Sequence, residues 1–410
     1  MTQKADIAVV GGGIIGLSVA YELALSTSAH IVVFDKQTPA SGTTGGSAGV
    51  ICLCDFHEIY AAFTLLGDAR VRDLSQRHDI GYHAWGSLHV AYGKGSNSPE
   101  TDPFAARFGP SGPDSLYARE FLEPDAVVRR FPWIDRKDVR FGLFYPNHGF
   151  VNPYRLVEIY ERLAIETGRV DVYHGTPVLQ IRRAGDQVST VVTRRGPWSV
   201  GQVVNAAGPW GGKVAALAGS ELALTPQRIQ VCVATAFDDE VEACPLTSVP
   251  EDVNGESVWC RGEEGGTLLF GQHHHMTKGG FTVDPDFVNR VNDTDYPDAV
   301  ANVYRRYWNL PKSDFLNGWS CVYGTTEDGF PIVSRDPTVT NLWHAVGMNG
   351  HGITCHAGVA RSLRSLMVEG RGHIDVGDVL GRAERVDITP LDAARFSTGN
   401  LIEFAGPKAK

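Results

Sequence analysis

The fold is decided by the stretch Asp6–Asp35, DIAVVGGGIIGLSVAYELALSTSAHIVVFD. Its apolar residues 7–10 predict a buried strand, and a run of glycines follows at once. Apolar residues one helical turn apart then predict a helix, and a second apolar strand at 31–34 ends in Asp35. This order of strand, glycine turn, helix, strand and acidic residue predicts a βαβ unit that binds a dinucleotide.

The individual residues of this unit have separate tasks. Gly11 permits the tight turn, Gly13 lets a phosphate approach the backbone, and Gly16 lets the helix pack closely on the strand. The N–H groups at the start of the helix are available to an anion. Asp35, about 20 residues past the glycines, is placed to bind the hydroxyls of an adenosine ribose and disfavours the 2′-phosphate of NADP. The unit predicts NAD or FAD and does not choose between them.

Composition excludes several classes of partner. The chain has 410 residues, enough for two domains, with 43% hydrophobic and 20% charged residues, as in an ordinary soluble protein. Its net charge of −10 argues against nucleic acid or an anionic membrane as a main partner. We find no apolar run of about 18 residues and expect no membrane span. We predict a cytoplasmic protein, and the sequence leaves its oligomeric state open.

Cysteines and histidines give no metal signature. The seven cysteines are scattered, without a CxxC pair, so reduced thiols are expected. Three adjacent histidines, His273 to His275, point to alternating sides of an extended chain and do not readily share one ion. We therefore predict no metal site.

The dinucleotide fold is distributed in pieces along the chain. The best parallel partners for the first strand are two apolar stretches far away in sequence, 203–205 and 342–346. A small polar stretch, Ser41–Gly49, directly follows the ribose-binding strand and suits backbone that lies against a ligand. Alternating strands fill the segments between these pieces. We predict an α/β fold in which a Rossmann-type domain is interleaved with an α+β substrate domain built on a mixed or antiparallel sheet.

Three groups of residues resemble one family. They are VVGGGIIG at 9–16, VVNAAGPW at 203–210, and TEDGFPI at 326–332 followed by GMNGHGI at 347–353. They occur in the order seen in the D-amino-acid oxidase, glycine oxidase and monomeric sarcosine oxidase superfamily of FAD-dependent oxidoreductases. The chain is most similar to the sarcosine and pipecolate oxidase branch, which implies FAD rather than NAD. We predict a discontinuous FAD-binding domain at 1–80, 145–220 and 320–375, a substrate domain at 81–144 and 221–319, and a C-terminal extension at 376–410.

The resemblance also assigns residues to the cofactor. It implies that the helix starting near His351 directs its N-terminus at the flavin pyrimidine, where reduced flavin carries negative charge. Val178 corresponds to a position whose backbone contacts adenine. The residues predicted from the motif and the resemblance to bind FAD are Gly11, Gly13, Ile14, Ile15, Gly16, Asp35, Lys36, Thr43, Thr44, Ser47, Ala48, Gly49, Val50, Val178, Ala206, Ala207, Gly208, Trp210, Cys321, Gly347, Asn349, Gly350, His351, Gly352, Ile353 and Thr354.

Cys321 is the most specific single residue. The stretch WSCVYGTT at 319–326 resembles the branch that places a cysteine two residues before a tyrosine and bonds it to the flavin 8α carbon. A thiolate suits that carbon as a nucleophile, and the thioether raises the flavin potential. The resemblance therefore implies FAD bound covalently through Cys321. The alternative is a buried cysteine that packs as a small hydrophobic residue.

Two cations that hold the substrate carboxylate elsewhere in the family are missing. Tyr323 stands where the glycine and D-amino-acid oxidases have an arginine, and Thr354 where the sarcosine oxidases have a lysine. Either another cation takes over, or the substrate has no carboxylate near its oxidised carbon. The candidate cations are Arg228, Arg261 and Lys278. A lysine that speeds the reaction of reduced flavin with oxygen is also absent from 268–271, so the acceptor is oxygen or another compound.

The leading hypothesis is FAD-dependent oxidation of the C–N bond of an amine or an N-substituted or cyclic amino acid. Hydride transfer to flavin N5 gives an imine that water then hydrolyses. A second hypothesis is oxidation of a 2-hydroxy acid, which needs a base such as His351 or His57. A third is a flavin-carrying subunit of a larger electron-transfer complex. The predicted catalytic residues are His351, Tyr323 and His57.

Overall fold

The computed structural model describes residues 3–54, 56–93, 104–109, 113–235, 243–249, 258–272, 282–309 and 315–403. Its strands are β1 (Gln3–Val10), β2 (Ile31–Phe34), β3 (Val50–Ile51), β4 (Ser87–Tyr92), β5 (Glu120–Leu122), β6 (Val139–Tyr145), β7 (Gly149–Phe150), β8 (Val170–Tyr173), β9 (Val178–Ala184), β10 (Gln187–Thr193), β11 (Gly196–Asn205), β12 (Thr225–Thr235), β13 (Leu246–Val249), β14 (Val258–Glu263), β15 (Thr267–Gln272), β16 (Phe315–Thr325), β17 (Ile332–Arg335), β18 (Leu342–Val346), β19 (His373–Asp375) and β20 (Arg385–Asp387). Its helices are α1 (Ile14–Ser26), α2 (Glu58–Ser75), α3 (Ala105–Phe108), α4 (Pro124–Arg130), α5 (Pro153–Glu166), α6 (Gly211–Leu217), α7 (Tyr296–Tyr307), α8 (Gly352–Arg364), α9 (Gly377–Leu380) and α10 (Arg395–Thr398). Within the described ranges, no helix combines the length and apolarity needed to cross a bilayer.

The first sheet is built around the predicted βαβ unit. Strand β1 lies between β2 and β11 and is parallel to both, and β18 is parallel to β11 on its other side. The order is β17-β18-β11-β1-β2-β8, with β10 and β9 continuing from β11. The two distant partners predicted from sequence are therefore present, β11 in direct contact with β1 and β18 one strand further out.

Both faces of this sheet are covered, which explains why its central strands are continuous apolar runs. Ile7 and Val9 of β1 pack in a core that includes residues of helices α1, α2, α5 and α8. Ala8 and Val10, which point the other way along the same strand, pack with residues of β9, β10 and α6. The α/β class and the Rossmann-type order predicted from sequence are confirmed.

The second sheet is mixed, as predicted, with the order β16-β12-β15-β14-β13-β4-β6-β5. Its neighbouring strands are antiparallel except for the β13–β4 pair. One face packs on α7, where Phe270 contacts Tyr304. The other face carries Val231 and Leu269, which contact Ala48 in the small polar stretch after β2. The second sheet therefore packs against the stretch Ser41–Gly49, which is predicted to lie against the ligand.

Strand β16 joins the two halves of the molecule. It pairs with β12 along the edge of the second sheet, and its last residues reach the cavity described below. It runs across the predicted domain boundary at residue 320. The second sheet therefore fixes the position of β16, and the last residues of this strand lie at the cavity beside the first sheet.

Two buried histidines hold neighbouring segments together as neutral rings. The His148 ring nitrogens lie 2.6 Å from Ser87 Oγ and 3.2 Å from the Leu116 carbonyl. Those of His356 lie 2.6 Å from the carbonyl oxygen of Ile353 and 2.7 Å from the Tyr160 hydroxyl. Burial lowers the pKa of His148 to about 3 and that of His356 to about 4.

We expect the protein to lose stability on acidification below pH ~6.5, the usual pKa of an unfolded histidine. The folded state binds protons less readily than the unfolded state, so these histidines stabilise the fold above that pH and cease to do so as the pH falls towards 4. The loss should be about 3 kcal/mol for each histidine by pH ~4. Urea unfolding between neutral pH and pH ~4.5 measures it. The variant His148→Gln should show a shallower pH dependence, and an unchanged slope would contradict this origin.

Candidate active site

A cavity of about 350 Å³ lies at the carboxyl ends of β1, β2, β11 and β18, where open α/β sheets bind their ligands. The volume is typical of small-molecule sites, which span about 300–1,000 Å³. Of the residues predicted to bind the cofactor, those that line this cavity are Gly11, Gly13, Ile14, Ile15, Asp35, Lys36, Thr43, Thr44, Ser47, Val178, Ala206, Ala207, Gly208, Trp210, Gly347, Asn349, Gly350, Gly352 and Ile353. Sequence segments more than 300 residues apart thus converge on one site.

The glycine turn leaves no room for side chains. Gly11 has a φ of +111°, and a Cβ there would lie 2.4 Å from the carbonyl oxygen of Ala206. A Cβ on Gly16 would lie 1.9 Å from the carbonyl oxygen of Gly11. Helix α1 begins after Gly13, which provides no side-chain cap. The Ile14 N–H donates to Thr44 Oγ1 at 3.3 Å, and the remaining N–H groups of the first turn of α1 are available to an anion in the cavity.

Asp35 is held in place by the backbone on both sides. Its Oδ2 accepts a hydrogen bond from Gly12 N at 2.7 Å, and its Oδ1 accepts one from Gln37 N at 2.8 Å. A carboxylate oxygen has two lone-pair directions, so each oxygen can accept a second hydrogen bond. This arrangement fits the two hydroxyls of a ribose.

The small polar stretch Ser41–Gly49 is clamped between the cavity and strand β16. Thr43 donates its hydroxyl to the carbonyl of Val322, and Trp319 Nε1 donates to the carbonyl of Gly46 at 3.0 Å. A Cβ on Gly46 would lie 2.5 Å from the Cβ of Cys321. These contacts hold the stretch against β16, and its predicted contact with the ligand stays a prediction.

Cys321 packs directly against this stretch. Its sulfur lies 3.6 Å from the carbonyl oxygen of Gly46 and the residue is 1% exposed. Burial raises the pKa of the thiol to about 12. Cys321 contacts Gly46 and does not itself line the cavity, whereas Tyr323, two positions along β16, does.

The loop before α8 meets Tyr323 at the opposite end from Asp35. A Cβ on Gly350 would lie 2.8 Å from the Tyr323 ring, so only glycine allows this contact. Asn349, at a φ of +49°, accepts a hydrogen bond from Thr326 N at 2.9 Å through its side-chain oxygen. Helix α8 starts at Gly352 without a side-chain cap. Its first N–H groups are available to stabilise negative charge in the cavity.

Among the three predicted catalytic residues, Tyr323 alone lines the described cavity. Burial raises the pKa of its phenol, which therefore stays protonated at neutral pH. His351 packs its ring against Tyr60, with centroids 5.2 Å apart. His57 caps α2, since its Nδ1 accepts a hydrogen bond from Ile59 N at 3.2 Å, and burial lowers its pKa.

The candidate cations for a substrate carboxylate occupy different environments. Arg228 is committed to Asp293, whose two oxygens lie 3.0 and 2.9 Å from its Nη1. Arg261 is 2% exposed, and its Nε donates to the carbonyl of Ala48 at 2.6 Å, beside the cofactor stretch. Glu263 binds its Nη2. Lys278 and the histidines 273–275 lie outside the described residues. Arg261 is thus the described candidate that contacts the cofactor stretch, although it does not itself line the cavity.

Several predicted cofactor residues do not line the cavity, namely Gly16, Ala48, Gly49, Val50, Cys321, His351 and Thr354. Thr354, for example, turns its hydroxyl to the carbonyl of Cys52 at 3.1 Å. The sequence reasoning missed Gln37, Lys213, Asp286 and Met348, which do line it. Gln37 follows directly on Asp35, and Met348 lies inside the quoted GMNGHGI motif. No motif marked Lys213 or Asp286.

The glycine turn, the fixed Asp35 carboxylate and the two uncapped helix starts define a Rossmann-type dinucleotide-binding oxidoreductase whose site fits FAD. Residues 6–366 match the family described as FAD dependent oxidoreductase, and the chain belongs to this family. The prediction of FAD over NAD is therefore confirmed.

Named relatives show where this chain stands in the family. It is 26% identical to human mitochondrial dimethylglycine dehydrogenase, over all of this chain and 46% of that protein, so it spans about half of that relative's length. It is 24% identical to monomeric sarcosine oxidase of a Bacillus species, over 92% of this chain and 95% of that protein. The crystal structure of L-proline dehydrogenase from P. horikoshii has the same fold, with a TM-score of 0.77 at 18% identity, covering 98% of this chain and 100% of that one.

Proposed function

We propose that this protein oxidises the C–N bond of an N-methylated or otherwise N-substituted amino acid, with FAD as electron acceptor. The observation that carries the proposal is the meeting of Tyr323 with Gly350 at the start of α8, inside the cofactor cavity. The names of the relatives, dimethylglycine dehydrogenase and sarcosine oxidase, support the substrate class. FAD supplies the two-electron redox chemistry when bound.

The residues of the chain would bind and orient the substrate rather than exchange protons with it. The neutral Tyr323 hydroxyl would hydrogen-bond the substrate, and the start of α8 would stabilise negative charge on the pyrimidine side. Arg261, buried beside Ala48, is the proposed partner for a substrate carboxylate. The second sheet, which packs on the stretch Ser41–Gly49, would exclude water from the cavity.

The positions of the two histidines favour an amine over a 2-hydroxy acid. A neutral amine can be oxidised without a base, whereas an alcohol normally needs one to take its proton. The Nδ1 of His57 is occupied by a backbone N–H, and His351 packs among aromatic rings outside the cavity lining. Neither is placed like a general base.

The experiment mixes the FAD-loaded protein with sarcosine, N,N-dimethylglycine, L-proline or lactate in the absence of oxygen. Loss of the visible flavin absorption with an N-substituted amino acid is expected. Bleaching by lactate alone would replace the proposal with the 2-hydroxy acid reaction, and bleaching by none would favour a flavin-carrying subunit. Adding oxygen or a dye to the bleached protein then identifies the electron acceptor. Strand β15 carries no lysine that would speed the reaction of reduced flavin with oxygen.

We also propose a cytoplasmic location. The structure joins none of the seven cysteines in a disulfide, and the sulfurs of Cys244 and Cys260 lie 4.0 Å apart. Reduced thiols are typical of proteins in a reducing compartment.

Covalent attachment of FAD through Cys321 gives a direct prediction. We expect the yellow colour to stay with the protein pellet after acid precipitation, and to move to the supernatant in the variant Cys321→Ala. The variant Cys232→Ala, which alters a buried cysteine of the second sheet, should behave like the wild type. Because burial raises the Cys321 pKa, attachment should proceed faster as the pH rises towards 9. A colourless wild-type pellet at every pH would exclude the bond.

A further inference from the structure

An ionic cluster closes one end of the cofactor cavity, and its central residue, Asp286, comes from outside the first sheet. Oδ1 of Asp286 accepts hydrogen bonds from Lys36 Nζ at 2.8 Å and from Trp210 Nε1 at 2.7 Å. Its Oδ2 accepts one from Lys213 Nζ at 2.5 Å. Lys36 also lies over the Trp210 ring, 3.8 Å from its centroid. All four residues line the cavity.

The cluster lies at the adenosine end of the site. Lys36 directly follows Asp35, whose carboxylate is placed for the ribose. Trp210 approaches the small polar stretch as well, because a Cβ on Gly42 would lie 3.6 Å from its ring. The flavin end, marked by Tyr323 and Gly350, is at the opposite side of the cavity. The cluster would therefore contact the adenosine part of FAD, which does no chemistry.

Asp286 sits on a strap, residues 282–290, that is anchored to the second sheet at both ends. Thr282 pairs with Gln227 of β12, and the carbonyl of Arg290 accepts a hydrogen bond from Ser320 N of β16 at 2.9 Å. Between these anchors the strap reaches across to Lys36, at the end of β2, and to Lys213, in α6. The ion pairs that Asp286 forms with Lys36 and Lys213 therefore join the strap to the first sheet and its helix. The side chains of these three residues are 37–46% exposed. Such contacts can break without unfolding either sheet.

We propose that Asp286 is a latch that controls exchange of the cofactor. FAD enters, and leaves where no bond to Cys321 holds it, only when the Asp286 carboxylate releases Lys36, Trp210 and Lys213 and the strap lifts from the adenosine end. The latch sets the rates of uptake and release. This inference rests on the family's use of FAD and is independent of which substrate is oxidised.

The test compares Asp286→Asn with the wild type in a Cys321→Ala background, so that the cofactor can dissociate. Uptake is followed by quenching of FAD fluorescence on mixing with apoprotein, and release by its recovery on dilution. Both rates should rise about tenfold in Asp286→Asn, because the neutral amide loses its ionic hold on Lys36 and leaves Lys213 bound by Asp284 alone. The matched control, Asp293→Asn, removes a carboxylate that pairs with Arg228 and does not line the cavity, and should change neither rate.

Two outcomes would overturn the latch. One is unchanged exchange in Asp286→Asn, and the other is faster release with slower uptake, which would make Asp286 a direct ligand of the adenosine. A second measurement keeps the proposal testable if the variant does not fold. Raising the salt concentration from about 0.1 M to about 1 M shortens the screening length from ~10 to ~3 Å. In the background protein, which keeps Asp286, this should speed both the uptake and the release of FAD. Exchange that is insensitive to salt would also reject the latch.

Discussion

Replacing Gly11 with alanine is expected to abolish FAD binding. The residue has a φ of +111°, which strains any other residue by about 1–3 kcal/mol. The new Cβ would also lie 2.4 Å from the carbonyl oxygen of Ala206. That carbonyl cannot retreat easily, because the N–H of Ala206 is hydrogen-bonded to Val10 at 2.9 Å. The turn must therefore shift, and the phosphate-binding backbone shifts with it.

We expect Gly11→Ala to purify without colour and to bind added FAD at least a hundredfold more weakly, a loss of ~2.7 kcal/mol. The control is Gly168→Ala, which has a φ of +71° and open space around its Cβ position. It suffers the backbone strain without the clash and should remain yellow. Circular dichroism verifies that each variant is folded. If Gly11→Ala is unfolded, Asp35→Ala tests the same site through the ribose contact. A folded, yellow Gly11→Ala with normal affinity for FAD would contradict the assignment of this turn to the cofactor phosphate.

The sequence was most informative where structure is local. Residues 7–35 needed only short-range rules, since a strand, a glycine turn and a helix are each determined by adjacent side chains. The distant strands β11 and β18 were identified because strands covered on both faces must be apolar throughout. The mixed second sheet followed from alternation of apolar and polar residues.

What the sequence did not predict depends on polar contacts between distant segments. Lys36 and Asp286 are 250 positions apart, and their contact leaves no periodic pattern in the chain. The resemblance placed His351 and Cys321 among the cofactor residues, and this stays a prediction, since neither residue lines the cavity. A motif determines where the backbone runs, whereas the direction of one side chain depends on what packs around it.

The predicted C-terminal extension illustrates the same limit, since it supplies a buried ion pair beneath the active-site loop. Arg395 lies beyond residue 366, where the family match ends. Its Nε lies 2.7 Å from Asp328 Oδ2, and its Nη2 lies 2.7 Å from the carbonyl oxygen of Phe330. The two charged side chains are 3% and 1% exposed. Thr326 donates its hydroxyl to that same carbonyl at 2.7 Å and its N–H to Asn349. The extension thereby fixes the loop that contacts Tyr323.

We accordingly expect Arg395→Met to destabilise the protein by about 3–5 kcal/mol, because it leaves the Asp328 carboxylate buried without a cation. Urea unfolding at neutral pH measures the loss. The double variant Asp328→Asn, Arg395→Met should recover most of it, since no charge then remains buried. The control Arg136→Met breaks the exposed pair with Asp125, 51% and 84% exposed, and should cost less than about 1 kcal/mol. Equal losses for Arg395→Met and Arg136→Met would show that the extension does not hold the loop through this pair.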